Sequence, residues 1–162
     1  MRSEEEANRA IERYADMVRR ICMVHLKNES DTEDIFQTVF LKYVLHSAPF
    51  ESEEHEKAWF IRVTINACRD LLKSFFRSRV VPLEEWTGSA APAEQGPEGR
   101  EVLAAVLALP AKYRDVVYLH YYEGYTAVEI SGLLGKSVNT VYTRLTRARQ
   151  RLQETLEGGD RP

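Results

Sequence analysis

Apolar residues recur at three- and four-residue spacing from early in the chain: Ile11, Tyr14, Ala15, Val18, Ile21, Cys22, His25 and Leu26 share one side of a 3.6-residue helix. That spacing predicts a first helix over roughly 6–27. Asn28-Glu29-Ser30-Asp31 breaks it, and Ser30 with Glu33 three positions on reads as a capping box opening a second helix. This second helix turns Ile35, Phe36, Val39, Phe40, Tyr43 and Val44 inward. Beyond Pro49, a third run from about Glu54 to Phe76 sets Trp59, Phe60, Val63, Ala67, Leu71, Leu72 and Phe75 at helical spacing. Aromatics so placed are read first as packing, and three helices of this length can bury one core.

The character changes from Val81 to Arg100, where Pro82, Gly88, Pro92, Gly96, Pro97 and Gly99 interrupt any helix and leave little to pack, so 79–100 is expected to be a flexible linker. Helical signal resumes at Glu101 with Val102, Val106 and Leu109, halts at Pro110, and returns in Asp115 to Tyr122. No strand-length alternation and no internal repeat occurs. The fold class expected is therefore all-α, in two small helical domains over 6–78 and 101–156 joined by the linker.

The last part of the chain is the most informative. Thr126 stands as an N-cap with Glu129 at the third helical position, and Ile130, Leu133 and Leu134 supply a buried face. Gly135 follows as a left-handed cap, then Lys136, and Ser137 caps a longer helix with Val138, Val141, Leu145, Ala148 and Leu152 inward. This is a helix-turn-helix. Its second helix shows Asn139, Thr140, Tyr142, Thr143, Arg144, Thr146, Arg147, Arg149 and Arg151 outward, with no acid between Lys136 and Gln153. An α-helix fits the DNA major groove, where Asn bonds adenine, Arg bonds guanine, Thr touches a thymine methyl and further arginines hold phosphate.

Charge supports this reading once it is counted locally. The 162 residues carry a net charge of -3, yet 57–79 and 136–151 each carry +5 on an otherwise acidic chain. Phosphate contact depends on the local field and not on the total. No apolar run approaches a membrane span, and Met1-Arg2-Ser3-Glu4-Glu5-Glu6 is charged where a signal peptide needs an apolar core, so a cytoplasmic protein without membrane insertion is expected. Cys22 and Cys68 cannot make a disulfide framework, and Cys22 with His25 lacks two further ligands for zinc. His25, His46, His55 and His120 are scattered, and no phosphate-binding glycine loop appears. Neither an enzyme nor a metal or cofactor site is expected. On the helix-turn-helix alone, a stand-alone regulator binding duplex DNA as a dimer is the alternative.

Two further motifs narrow the choice. Asp31-Thr-Glu-Asp-Ile-Phe-Gln-Thr-Val-Phe-Leu-Lys-Tyr, followed by Lys57-Ala-Trp-Phe-Ile-Arg-Val-Thr-Ile-Asn-Ala-Cys-Arg-Asp-Leu-Leu-Lys, resembles region 2 of RNA polymerase sigma factors of the extracytoplasmic-function group. Leu109-Pro110 through Leu152 resembles their region 4. The resemblance covers about 6–156 in matching order. It implies that Glu33, Asp34, Gln37, Thr38 and Leu41 contact core RNA polymerase. It also implies that Asn66 reads a base of the minus-10 promoter element, with Lys57, Arg62, Arg69, Lys73 and Arg77 near its backbone. Lys136, Ser137, Asn139, Thr140, Tyr142, Thr143, Arg144, Thr146 and Arg147 would then bind the minus-35 element. An anti-sigma factor is a further partner that the resemblance suggests.

The chain departs from the family pattern twice. Phe50-Glu-Ser-Glu-Glu-His-Glu is acidic where relatives carry a basic and aromatic loop that recognises a flipped base, and Ser131-Gly132 stands where relatives often have alanine and a larger residue. The twenty residues from Val81 to Arg100 have a relaxed span of about 25 Å and an extended reach of about 66–72 Å. Promoter elements roughly 55–60 Å apart, at 3.4 Å per base pair, are therefore within reach only when it is drawn out.

Overall fold

The computed structural model describes residues 1–78 and 97–158, and the chain divides into two compact units, Met1–Ala90 and Ala91–Pro162. All regular elements among the described residues are helical. Residues 79–96, most of the expected linker, lie outside them.

The first unit holds α1 (Glu4–Leu26), α2 (Glu29–Leu45) and α3 (Glu53–Ser78), each packed on the other two. Ser3 caps α1 by accepting the Glu6 N–H at 3.2 Å, and Glu4, Glu5 and Glu6 suit the positive end of the helix. The helix ends at Lys27, whose left-handed φ of 61° is the conformation usually left to glycine. Its buried face runs through Ala10, Tyr14, Met17, Val18, Ile21, Cys22 and Leu26. Ile11, expected inside, is exposed, because the face is turned so that Ala10 and Met17 take its place.

The start of α2 corrects the Ser30–Glu33 capping box. Asn28 is the cap: its side chain accepts the Asp31 N–H at 2.8 Å and donates to the Asp31 carboxylate at 2.7 Å. Ser30 therefore lies inside the first turn, and Glu33 turns to Arg19 of α1 at 3.2 Å instead. Phe60 of α3 is fully buried at the centre, its ring 4.6 Å from Tyr14, 5.0 Å from Tyr43 and 5.3 Å from Phe40. Val18, Ile21, Val39 and Ile61 complete the core around it.

The second unit holds α4 (Pro97–Leu107), α5 (Ala111–Val117), α6 (Ala127–Leu134) and α7 (Val138–Gly158). Three expectations change here. Pro97 to Arg100 fall within the expected linker, but a proline with fixed φ suits the first turn of a helix, and α4 begins with it. Val102, expected inward, is exposed, while Ala105 and Leu109 are buried. Helix α5 opens directly after Pro110, four residues before Asp115, and Tyr118–Tyr122 continues as a wide π-helical turn. Glu123 N–H bonds the Tyr118 carbonyl at 3.1 Å, five residues back, which admits one extra residue to the turn. Leu109, Tyr113, Val117 and Ala148 form the core cluster, with Val106 and Leu152 against it.

Gly132 lies in α6 with open space where a Cβ would stand. Gly132→Ala should therefore stabilise the second unit by about 1 kcal/mol. A denaturant midpoint for that unit that stays still or falls would show that the glycine is needed for packing.

Candidate nucleic-acid interface

The helix-turn-helix forms as its capping signals dictate. Thr126 Oγ1 accepts the Glu129 N–H at 3.2 Å while the Glu129 carboxylate accepts the Thr126 N–H at 3.0 Å. The Thr126 backbone N–H, helped by the Thr126 side chain, holds the Glu129 carboxyl below its ordinary pKa, so the cap is complete above that range and weakens as acid protonates it. Gly135 adopts φ 66° and donates to the Ser131 carbonyl, and the Ser131 hydroxyl donates to the Lys136 carbonyl across the turn. Ser137 Oγ accepts the Thr140 N–H at 3.1 Å and opens α7. Ile130, Val141, Leu145 and Ala148 are buried between the helices.

At about 100° per residue, the outward residues of α7 resolve into three strips. Asn139, Thr143, Thr146 and Arg147 are exposed and run along the crest, opposite Val141, Leu145 and Ala148. Thr140, Arg144 and Arg151 form one shoulder; the first two are half-buried. Tyr142 and Arg149 form the other shoulder. Lys136 and Ser137 are exposed ahead of the crest, with Ser137 committed to its cap. A crest of short polar groups and Arg147, flanked by a cation on each shoulder, has the character of a helix that fits a major groove between two phosphate strands.

On α3, Arg62, Asn66, Arg69 and Lys73 repeat at four-, three- and four-residue intervals and so form one stripe opposite Phe60, Ile61, Thr64 and Ile65. Arg62, Asn66 and Lys73 are exposed and Arg69 is half-buried. Lys57 is not brought to this stripe, since its position in the helical turn is on the core side, one turn before Ile61. The Arg77 side chain lies outside the described residues. The loop ahead of α3 is knitted to aromatics: the Phe50 ring is 5.3 Å from His46 and 5.9 Å from Trp59, and Glu51 N–H donates to His55 Nδ1 at 3.1 Å. Arg2 covers this group, its guanidinium 4.6 Å from the Tyr43 ring centroid and 4.9 Å from that of Phe50. Trp59 is half-buried in this cluster, whereas Phe60 is core.

On α2, Glu33, Asp34, Gln37, Thr38 and Leu41 are all exposed on the side away from Ile35, Val39 and Tyr43. Leu41 and Leu45, one turn apart, are 60% and 61% exposed. Leu45 was missed by sequence reasoning, although an apolar residue four positions after Leu41 and off the buried face was a legible signal.

Among the described residues no three histidine, cysteine or carboxylate side chains converge to hold a metal ion, and no helix is long and apolar enough to cross a membrane. His25 Nδ1 lies 2.9 Å from the Ile21 carbonyl, and the buried Cys22 faces Cys68 of α3 with sulfurs 3.9 Å apart.

Both units match known proteins. Residues 10–78 match the family model for sigma-70 region 2, and residues 99–152 match that for sigma-70 region 4. The chain is 29% identical over 154 residues to the ECF RNA polymerase sigma factor SigE of Mycolicibacterium smegmatis, covering 90% of this chain and 60% of that protein. It is 28% identical over 140 residues to the RNA polymerase sigma factor SigV of Bacillus subtilis, covering 85% and 84%. The fold is that of the sigma factor RpoE of Bartonella quintana, solved with the anti-sigma factor NepR, at TM-score 0.77, 23% identity and coverage of 97% and 99%. It is also that of CnrH, solved with the cytosolic domain of CnrY, at TM-score 0.68 and 23% identity over 96% of this chain and 90% of that one. Two separate regions in the right order, each carrying its own exposed basic stripe, place the chain in the sigma-70 family, among the extracytoplasmic-function sigma factors.

Proposed function

We propose that this chain binds core RNA polymerase through the exposed face of α2 and directs it to promoters, with α3 engaging the minus-10 element and α7 reading the minus-35 element. The observation that carries the reading is the pairing of two basic stripes, Arg62–Lys73 on α3 and Asn139–Arg151 on α7, on opposite sides of a long connection, each turned away from its own core. Asn66 sits mid-stripe between Arg62 and Arg69, where an amide can bond the edge of an unpaired base while cations hold its backbone. On this reading 6–78 and 101–156 are the working domains, the chain acts in the cytoplasm by binding and not by turnover, and an anti-sigma protein is a natural regulator. RpoE and CnrH, which share the fold, are each solved with a second protein.

Promoter association measured with and without core polymerase tests this. The chain alone is expected to bind duplex promoter DNA weakly, and the complex to bind specific promoters tightly. Tight dimeric binding to a palindrome by the chain alone would instead identify a stand-alone regulator.

A further inference from the structure

A cavity of about 340 Å³ opens between α5 and α7, lined by Lys112 and Tyr113 from the first and by Thr140, Thr143, Arg144 and Arg147 from the second. The Tyr113 ring is buried against Leu109, Val117 and Ala148, which fixes where its hydroxyl points. Cations gather around it: Lys112 Nζ is 5.2 Å and the Arg151 guanidinium 5.1 Å from the ring centroid, and Arg147 acts on the hydroxyl from α7. Burial pushes the phenol pKa up, but these three cations outweigh it and bring it below its ordinary value. Among the described residues no carboxylate pairs with Lys112, Arg144 or Arg147.

Like charges held together without a counter-charge repel, and an anion entering the cavity relieves that repulsion. Two guanidinium forks and an ammonium suit an oxyanion with several acceptors, above all a phosphate. The position of the cavity says which phosphate. Thr140 and Arg144 belong to the α7 shoulder next to the crest, and a helix lying in a groove about 12 Å wide has a sugar–phosphate strand at each shoulder.

We propose that Lys112, Arg144 and Arg147 form a seat for one backbone phosphate of the duplex whose major groove α7 enters. The seat rests on the reading of α7 as the groove-reading helix, and it adds Lys112 and Tyr113, from a different helix, to the DNA contacts. Lys112 fixes register and affinity without reading sequence, since a phosphate carries none.

The test uses the full chain bound to core polymerase and a set of promoter duplexes. Lys112 is exposed, so Lys112→Gln leaves the fold intact. Losing one phosphate contact should make the slope of log affinity against log salt shallower by about 0.9, which at 0.1 M salt is roughly an eightfold loss, equal on every duplex. Lys112→Arg should restore both. An unchanged slope, or a loss that depends on the base sequence, overturns the seat while leaving promoter direction standing. Saturable binding of inorganic phosphate to the free chain, abolished by Lys112→Gln with the promoter slope unchanged, would give the cavity to a free anion and overturn the DNA assignment. If the wild-type complex shows no promoter affinity at all, the reading of α7 falls and the seat with it.

Discussion

Phe60→Ala should unfold the first unit at moderate temperature while the second stays folded. Phe60 has no exposed surface and touches aromatic rings of all three helices, Tyr14 of α1, Phe40 and Tyr43 of α2, and Trp59 of its own helix, so no neighbour can move into its place without losing a contact elsewhere. Removing such a ring costs about 3–5 kcal/mol, against a total stability for a domain of roughly 5–15 kcal/mol. Hydrogen exchange resolves the effect by residue: amides of α1, α2 and α3 should lose protection, and those of α5, α6 and α7 should keep it. Equal loss in both units would mean that they fold as one body. Phe60→Leu, which refills most of the volume, should recover much of the protection.

Replacing both Leu41 and Leu45 with alanine should weaken binding to core polymerase roughly 100-fold and leave the fold unchanged. Neither leucine packs in the core, and alanine is the better helix former, so the substitution spares α2. If the polymerase covers both, the lost burial amounts to about 3 kcal/mol, and every 1.4 kcal/mol is tenfold. The flanking Glu33 already pairs with Arg19 at half-exposed positions, so its removal is expected to matter much less. Titration of labelled chain with core enzyme reads the difference. Unchanged affinity for the double variant would move the polymerase contact away from α2.

The helix-turn-helix was readable because each of its boundaries is written by a local hydrogen bond: Thr126 with Glu129, Gly135 at positive φ, and Ser137 with Thr140. Where several residues could cap, sequence pattern did not decide. Ser30 and Glu33 had the right spacing, but Asn28 could bond Asp31 twice, and Arg19, from another helix, drew Glu33 away. Pro97 has the sequence signature of a breaker, yet it stands at the one helical turn that tolerates it. The π-helical turn at Tyr118–Tyr122 has no glycine or proline to announce it; it is held by the Tyr118 and Tyr122 rings stacked 5.3 Å apart and by Tyr118 donating to Glu123. At the sites, helical period alone ordered Arg62, Asn66, Arg69 and Lys73, and it excludes Lys57 from the same stripe. Lys112 was invisible because only the packing of α5 on α7 brings it to Arg144 and Arg147.

Mapping start sites made by core polymerase on a random promoter library, with and without this chain, bears most directly on promoter direction by two separate stripes. Added chain should concentrate initiation at sites sharing two spaced elements, with Asn66→Ala relaxing the choice only at the nearer one and Asn139→Ala, on the exposed crest of α7, only at the farther. Initiation that stays scattered with the chain present and bound, or a loss of choice at both elements from either substitution, would contradict it.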